Sequence, residues 1–268
     1  MKAARDILVV DDEEVITQAV VRVCEAEGMS VDVADSAAAA NVRLERCTYR
    51  LIICDVMMVD VDGFQFLSDI VHRQIRTPVI MSTGMSTMEN AVKSLYAGAI
   101  DFIPKPFTAD ELLAAVRRGL NYARLLEVAL AASAAGRPVS LAFVPCPAKY
   151  YRLGFASWVV VEGSGTVLVG VSDLLLKTLD SIRGIRLGAV GEEVVQGSSC
   201  ATITSADGLD HGVMCPVSGR IVEVNRRLES TPAVMERDPY FEGWLYRVLP
   251  SELQYELRQL SSCSSDRI

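Results

Sequence analysis

Over the first 107 residues, short apolar runs alternate with stretches whose apolar residues recur every three or four positions. Residues 7–10 read as an apolar strand closed by Asp11-Asp12. Val15, Ile16, Ala19, Val20 and Val23 follow at helical spacing, with Gly28 as a stop signal. Val31 and Val33 mark a second strand, and Leu44 lies near the end of a second, alanine-rich helix. Residues 51–54 are wholly apolar, which suits a third strand buried on both faces. A helix over 64–71, a strand over 79–81, a helix over 88–97 and a strand over 100–103 complete the series. Parallel strands need crossover connections, so this alternation predicts a doubly wound α/β fold: a five-stranded parallel sheet with helices on both faces, in the order 2-1-3-4-5.

A fifth helix has a strong start. Thr108-Ala-Asp-Glu111 fits a capping box, and no breaker follows until Gly136-Arg-Pro138, so the helix can run about 28 residues. Leu112, Val116, Ala123, Leu126 and Leu130 keep a three-to-four spacing that Gly119 interrupts. Such a connector can pair with a second copy of the chain or lie on its own second domain. Beyond Pro138 the texture changes to short β-rich runs between glycine turns, at 158–161, 167–171, 185–187, 200–204, 213–215 and 221–224. These predict a small sandwich, closed by a helix over 251–260 with Ser251 as its cap.

The chain has 268 residues, of which 50% are hydrophobic and 22% charged, enough for two packed cores. The boundaries read as 1–122 for the first domain, 123–142 for a connector helix and linker, 143–262 for the second domain and 263–268 for a tail. Net charge is −8, with an acidic excess in both halves and no dense Lys/Arg patch, which argues against nucleic acid as a partner. The apolar-rich stretch at 77–88 falls well short of the roughly 18 residues that a membrane span needs. Residues 1–12 do not form a secretory signal, and the seven cysteines sit at irregular spacing. A cytoplasmic chain with reduced thiols is the expectation.

The candidate chemistry lies at the carboxyl ends of the predicted parallel strands, where open α/β sheets bind ligands. Asp11 and Asp12 follow the first strand, Asp55 the third and Lys105 the fifth. Three convergent carboxylates suit a hard divalent ion such as Mg²⁺, which takes about six oxygens at about 2.1 Å. Without an ion they repel one another.

Asp11-Asp12, Asp55-Val-Met-Met-Val-Asp-Val-Asp-Gly63, Pro78-Val-Ile-Met-Ser-Thr-Gly84 and Asp101-Phe-Ile-Pro-Lys-Pro106 together resemble the receiver domain of bacterial two-component response regulators. The resemblance implies that Asp55 accepts a phosphoryl group from a sensor histidine kinase and that Asp11, Asp12, Asp55 and the Met57 carbonyl hold Mg²⁺. It further implies that Thr83 and Lys105 bind phosphoryl oxygens, that Phe102 is an aromatic switch on the outer face, and that the Lys105–Pro106 bond is cis. Val59 departs from the family, which usually carries proline there.

Trp158-Val-Val-Val-Glu162, Thr166-Val-Leu-Val-Gly-Val-Ser172, Ala189-Val-Gly-Glu192, Pro216-Val-Ser-Gly-Arg-Ile-Val-Glu-Val-Asn225 and Asp238-Pro-Tyr-Phe-Glu-Gly-Trp244 resemble the glycine cleavage H-protein. The implied fold is a lipoyl-type sandwich of two small sheets with flanking helices. That family carries lipoate on a lysine eight residues before the proline that Pro216 matches. Here that position is Gly208, inside Ser205-Ala-Asp-Gly-Leu-Asp210, and the lysines beyond residue 122 are Lys149 and Lys177.

Other signals are weaker. Gly163-Ser-Gly165 reads as a hairpin turn. Cys200, His211 and Cys215 lack the tight spacing of a zinc site, although the two cysteines can face each other on a hairpin. His72 lies in a polar stretch. Together these features lead us to expect a response regulator that is not an enzyme beyond its own phosphoryl chemistry. Phosphorylation would change the face built by the fourth helix, fifth strand and fifth helix, which by resemblance mediates homodimerisation. The second domain would then contact an unknown protein partner. A phospho-regulated lipoyl carrier or decoy is the alternative. A DNA-binding output is disfavoured by the missing basic helix-turn-helix.

Overall fold

The computed structural model describes residues 3–58, 61–84, 87–137 and 142–265. Val59 and the breaker Pro138 lie outside the described residues, as does part of the predicted linker and tail.

The first domain comprises β1 (Ala3–Val10), α1 (Glu14–Ala26), β2 (Val31–Ala34), α2 (Ala37–Arg46), β3 (Cys47–Asp55), α3 (Gly63–His72), β4 (Val79–Thr83), α4 (Met88–Tyr96), β5 (Asp101–Pro104) and the start of α5 (Ala109–Ala134). Its strands lie parallel in the order β2-β1-β3-β4-β5, as the alternation predicts. Side chains alternate across the sheet. Ile7, Val9, Leu51, Ile53 and Ile80 pack on the face covered by α1 and α5. Leu8, Val10, Ile52, Cys54 and Met81 pack on the other face with Phe66, Leu67 and Ile70 of α3. Val15 departs from the sequence reading. It stands in the first turn of α1, beside the acidic loop, and is 79% exposed, while Val20 one and a half turns on is buried.

Helix starts follow local chemistry. Ser36, Asp62 and Thr87 each accept a backbone N–H from the first turn of α2, α3 and α4. The α5 capping box forms with both of its arms, the Thr108 hydroxyl on the Glu111 amide and the Glu111 carboxylate on the Thr108 amide.

The second domain runs β6 (Tyr151–Leu153), β7 (Ser157–Val161), β8 (Val167–Val171), α6 (Asp173–Thr178), β9 (Ile182–Leu187), β10 (Glu193–Val194), β11 (Ser199–Ser205), β12 (Asp210–Met214), β13 (Gly219–Val224), α7 (Arg227–Ser230), α8 (Ala233–Arg237), β14 (Trp244–Pro250), α9 (Leu253–Glu256) and β15 (Ser261–Ser262). Antiparallel pairing builds a seven-stranded sheet, β10-β13-β14-β8-β7-β6-β15, and a three-stranded sheet, β12-β11-β9. All six predicted strands are present. The closing helix is shorter than predicted. A 3₁₀ turn at Leu257–Gln259 follows α9, and Ser251 spends its amide on the Ser218 carbonyl instead of capping. The cause is Glu256. Its carboxylate accepts the Ser218 N–H and its carbonyl accepts the Gln196 side-chain amide, which ties the segment to the sheet and ends the helix.

Of the two fates open to α5, the structure shows packing on its own second domain. The helix lies along α6 and against β12, and the Asn121 side-chain amide donates to the Thr178 carbonyl at 2.8 Å. The apolar core continues across the junction, from Leu95, Ile100, Leu112 and Val116 to Leu153, Phe155, Leu175 and Ile203. The rings of Tyr122 and Phe155 meet there at 4.9 Å. Among the described residues no helix is long and apolar enough to cross a membrane.

Candidate functional site

Strand register places the candidate residues on one edge. Val10 pairs with Cys54, so Asp11 stands level with Asp55. Asp55 pairs with Ser82 and Thr83 with Pro104, so Thr83 and Lys105 arrive at the same carboxyl end. The Lys105 amide donates to the Thr83 carbonyl at 2.8 Å, and the Lys105–Pro106 bond is cis.

Asp11, Asp55 and Lys105 are buried, and Asp12 is exposed at the rim. The Lys105 ammonium lies 2.7 Å from Asp11 Oδ2, 3.0 Å from Glu13 Oε1 and 3.2 Å from Asp55 Oδ2. Asp11 Oδ1 accepts the Glu13 amide. Asp55 Oδ1 is buried and has no hydrogen-bond partner. Burial raises the pKa of both Asp11 and Asp55 against the pull of Lys105. Burial alone would lower the Lys105 ammonium, but its hydrogen bonds to Asp11 and Glu13 leave it raised.

A divalent cation fits this donor set. Oxygens of Asp11, Asp12 and Asp55 lie within 4.8 Å of one another, the carboxylates of Asp11, Glu13 and Asp55 face one ammonium, and one buried carboxylate oxygen lacks a partner. Met57 turns its side chain to solvent while its backbone amide faces the Asp55 carboxylate, so Met57 can serve the site only through its backbone. Gly63 lets the start of α3 press on the acceptor strand. A Cβ there would lie 2.0 Å from the Asp55 carbonyl oxygen.

Thr83 is fully buried at the end of β4. Phe102 is 7% exposed and faces the second domain rather than solvent, lining a groove with Met88 and Met214. Glu13 is a site residue that the sequence reading passes over, although it directly follows the aspartate pair.

The other polar cluster joins the two domains. Arg118 donates from Nε and Nη2 to Asp101 Oδ2 and from Nη1 to His211 Nδ1 at 2.7 Å. An arginine cannot accept, so His211 carries its proton on Nε2 and donates it to Ser205 Oγ at 2.8 Å, and Ser205 in turn donates to Asp207 Oδ1. With that tautomer His211 cannot act as a base toward Ser205. Burial, then the charge of Arg118, lowers the His211 pKa to about 4.

The β11–β12 turn carries no lysine, and its Asp207 is held by Arg117 at 2.8 Å. Arg117 also reaches Glu27 beyond the end of α1. Lys149 and Lys177 lie elsewhere, before β6 and on α6, and both are exposed. His211 turns away from any metal grouping with Cys200 and Cys215. Cys200 Sγ donates to the Val213 carbonyl at 3.5 Å, and the neighbouring Cys215 thiol and burial push Cys200 well above the usual thiol range, which keeps it protonated.

Residues 7–117 match the family model described as response regulator receiver domain, and residues 149–265 match that of the glycine cleavage H-protein. A probable glycine cleavage system H protein of Thermococcus kodakarensis is 40% identical over 103 residues, covering 38% of this chain and 75% of the relative. The H protein of Thermus thermophilus is 38% identical over 96 residues, covering 36% and 73%. Among solved structures, the receiver domain of NtrX from Brucella abortus is 36% identical with a TM-score of 0.42, covering 43% of this chain and 98% of that one. A glycine cleavage system H protein from Mycobacterium marinum is 32% identical with a TM-score of 0.37, covering 40% and 87%.

Proposed function

We propose, for a chain that belongs to the glycine cleavage H-protein family through residues 149–265 and carries a response regulator receiver domain over residues 7–117, a phosphoryl-switched regulator whose second domain is a protein platform. Asp55 accepts a phosphoryl group from the phosphohistidine of a sensor histidine kinase. The observation that carries this reading is the asymmetry of the Asp55 carboxylate. Lys105 holds Oδ2, while Oδ1 is buried and unpartnered at the carboxyl end of the sheet. Oδ1 is the oxygen that forms the new P–O bond as the P–N bond to the histidine breaks and the electron pair leaves with the imidazole. Phosphoryl transfer asks little covalent chemistry of a protein beyond positioning and charge neutralisation.

Asp11, Asp12, Asp55 and the Met57 carbonyl would hold Mg²⁺, which when bound offsets charge on the phosphoryl oxygens. Lys105 supplies a second cation, already fixed by Asp11 and Glu13. Thr83, at the end of the adjacent strand, binds another phosphoryl oxygen, and its movement is passed to Phe102 on β5. Phosphorylation then acts by favouring one arrangement of α4, β5 and α5 over another.

The second domain works without lipoate. Amide attachment needs an exposed amine, and the hairpin turn that matches the family's attachment site offers Gly208 and an aspartate clamped to the receiver. On this reading the second domain is a protein platform and not a lipoyl carrier. Beryllofluoride binding in wild type but not in Asp55→Ala tests the receiver reading. Intact mass of the chain from its native host tests the second, and a lipoyl adduct would overturn it.

A further inference from the structure

We propose that Glu13 is a positioning residue that competes with the phosphoryl group for the Lys105 ammonium, so that its negative charge limits how firmly the receiver keeps its modification. The inference rests on the phosphoacceptor reading above and names a further residue of that site.

Three observations carry it. The first is that the ammonium is already fully used. Lys105 has three N–H groups, and among the described residues three carboxylates take them, Asp11 at 2.7 Å, Glu13 at 3.0 Å and Asp55 at 3.2 Å. A phosphoryl oxygen therefore has to take an N–H that is in use. The second is a contrast in exposure. The side chains of Asp11 and Asp55 are 2% and 3% exposed, and that of Glu13 is 60% exposed. A buried carboxylate that gives up its ammonium is left uncompensated, whereas water replaces the ammonium at Glu13. While the phosphodonor arrives, Glu13 is the partner that yields. The third is where Glu13 stands. It occupies the N-cap of α1, yet its side chain makes no cap hydrogen bond. Its backbone does the local work instead. The Glu13 amide donates to Asp11 Oδ1 at 3.0 Å, and its carbonyl accepts the Ile16 and Thr17 amides. That anchoring leaves the carboxylate to reach Lys105, 92 positions on.

The incoming group lies close to Glu13 whichever N–H it takes. A phosphoryl oxygen at an ordinary charge-assisted distance from Nζ, about 2.8 Å, is no more than about 6 Å from Glu13 Oε1. Two anions at that range on one ammonium repel each other. Glu13 thus holds the lysine over the unmodified acceptor and opposes the group that the lysine is held for.

The test measures, on the full chain, beryllofluoride affinity in saturating Mg²⁺ by fluorine resonance and Mg²⁺ affinity alone by calorimetry. Wild type is compared with Glu13→Gln and Glu14→Gln. Glutamine keeps an acceptor beside Lys105 and removes the charge. Glu14 is exposed and bonds the Gln18 side chain, so Glu14→Gln removes an equal charge without touching Lys105. The competition predicts that Glu13→Gln binds the mimic about tenfold more tightly. Glu14→Gln should stay within about twofold of wild type, and Mg²⁺ affinity in Glu13→Gln within about threefold. Loss of a merely structural contact would lower stability without tightening the mimic. Mimic binding that is unchanged or weaker in Glu13→Gln overturns the competition while leaving the phosphoacceptor reading in place. Equal tightening in Glu14→Gln reduces the effect to overall charge and also overturns it. So does a larger loss of Mg²⁺ affinity in Glu13→Gln, which would make Glu13 a helper of the metal rather than a rival of the phosphoryl group. A wild type that binds no mimic overturns the phosphoacceptor reading, and the competition falls with it.

Discussion

The polar cluster around Lys105 and the one around Arg118 are satisfied to different degrees. Around Lys105, three carboxylates share one ammonium, two of the acids have raised pKa values and one buried oxygen has no partner. Around Arg118, hydrogen bonds run from Asp101 through His211 and Ser205 to Asp207, and no side-chain atom of these residues is buried without a partner. The first arrangement is costly unless a cation and a phosphoryl group complete it. The second is complete within the protein and serves to hold two domains together. An unmet electrostatic need distinguishes a site for chemistry from a structural network.

The comparison breaks first at Asp55. Asp55→Ala should reduce phosphoryl incorporation from a small phosphodonor to background while the fold persists, as read by intact mass and circular dichroism. Next comes Lys105→Ala. In metal-free buffer it should lose about 3 kcal/mol of stability in denaturant titrations, because the buried carboxylates lose their counter-charge, and Mg²⁺ should restore part of the loss. An equal loss with and without Mg²⁺ would place the lysine in a purely structural role.

The junction gives the third prediction. His211 is neutral when folded, with its pKa lowered to about 4 by burial and then by Arg118, against partial opposition from Asp207, Asp101 and Asp210. The unfolded state takes up a proton near pH 6.5 and the folded state does not. Stability should therefore fall as pH drops from about 6.5 to about 4, by up to about 3 kcal/mol, and level off below. His211→Gln should flatten that part of the profile, and an unchanged slope would remove the histidine from the account. The smallest effect lies at the start of α5, where Thr108→Ala should cost about 1 kcal/mol in thermal or chemical unfolding through loss of the capping box.

Much of the first domain was legible because its signals are local. Alternation gave the parallel sheet, and once strands end where their apolar runs end, Asp11, Asp55 and Lys105 must meet. The second domain was legible in part. β14 was recognised only as the motif ending at Trp244, since Trp-Leu-Tyr-Arg-Val-Leu-Pro does not alternate cleanly between apolar and polar residues. The predicted closing helix yielded to Glu256, whose bonds to Ser218 and Gln196 come from distant positions. The junction was illegible for the same reason. Arg118 and His211 lie 93 positions apart, and no local pattern in either segment announces the other.

The most direct test of the central claim is the mass of the intact chain after exposure to a small phosphodonor. The account predicts a gain of one phosphoryl group that requires Mg²⁺ and vanishes in Asp55→Ala. An unmodified wild-type chain, or the same gain in Asp55→Ala, would contradict it.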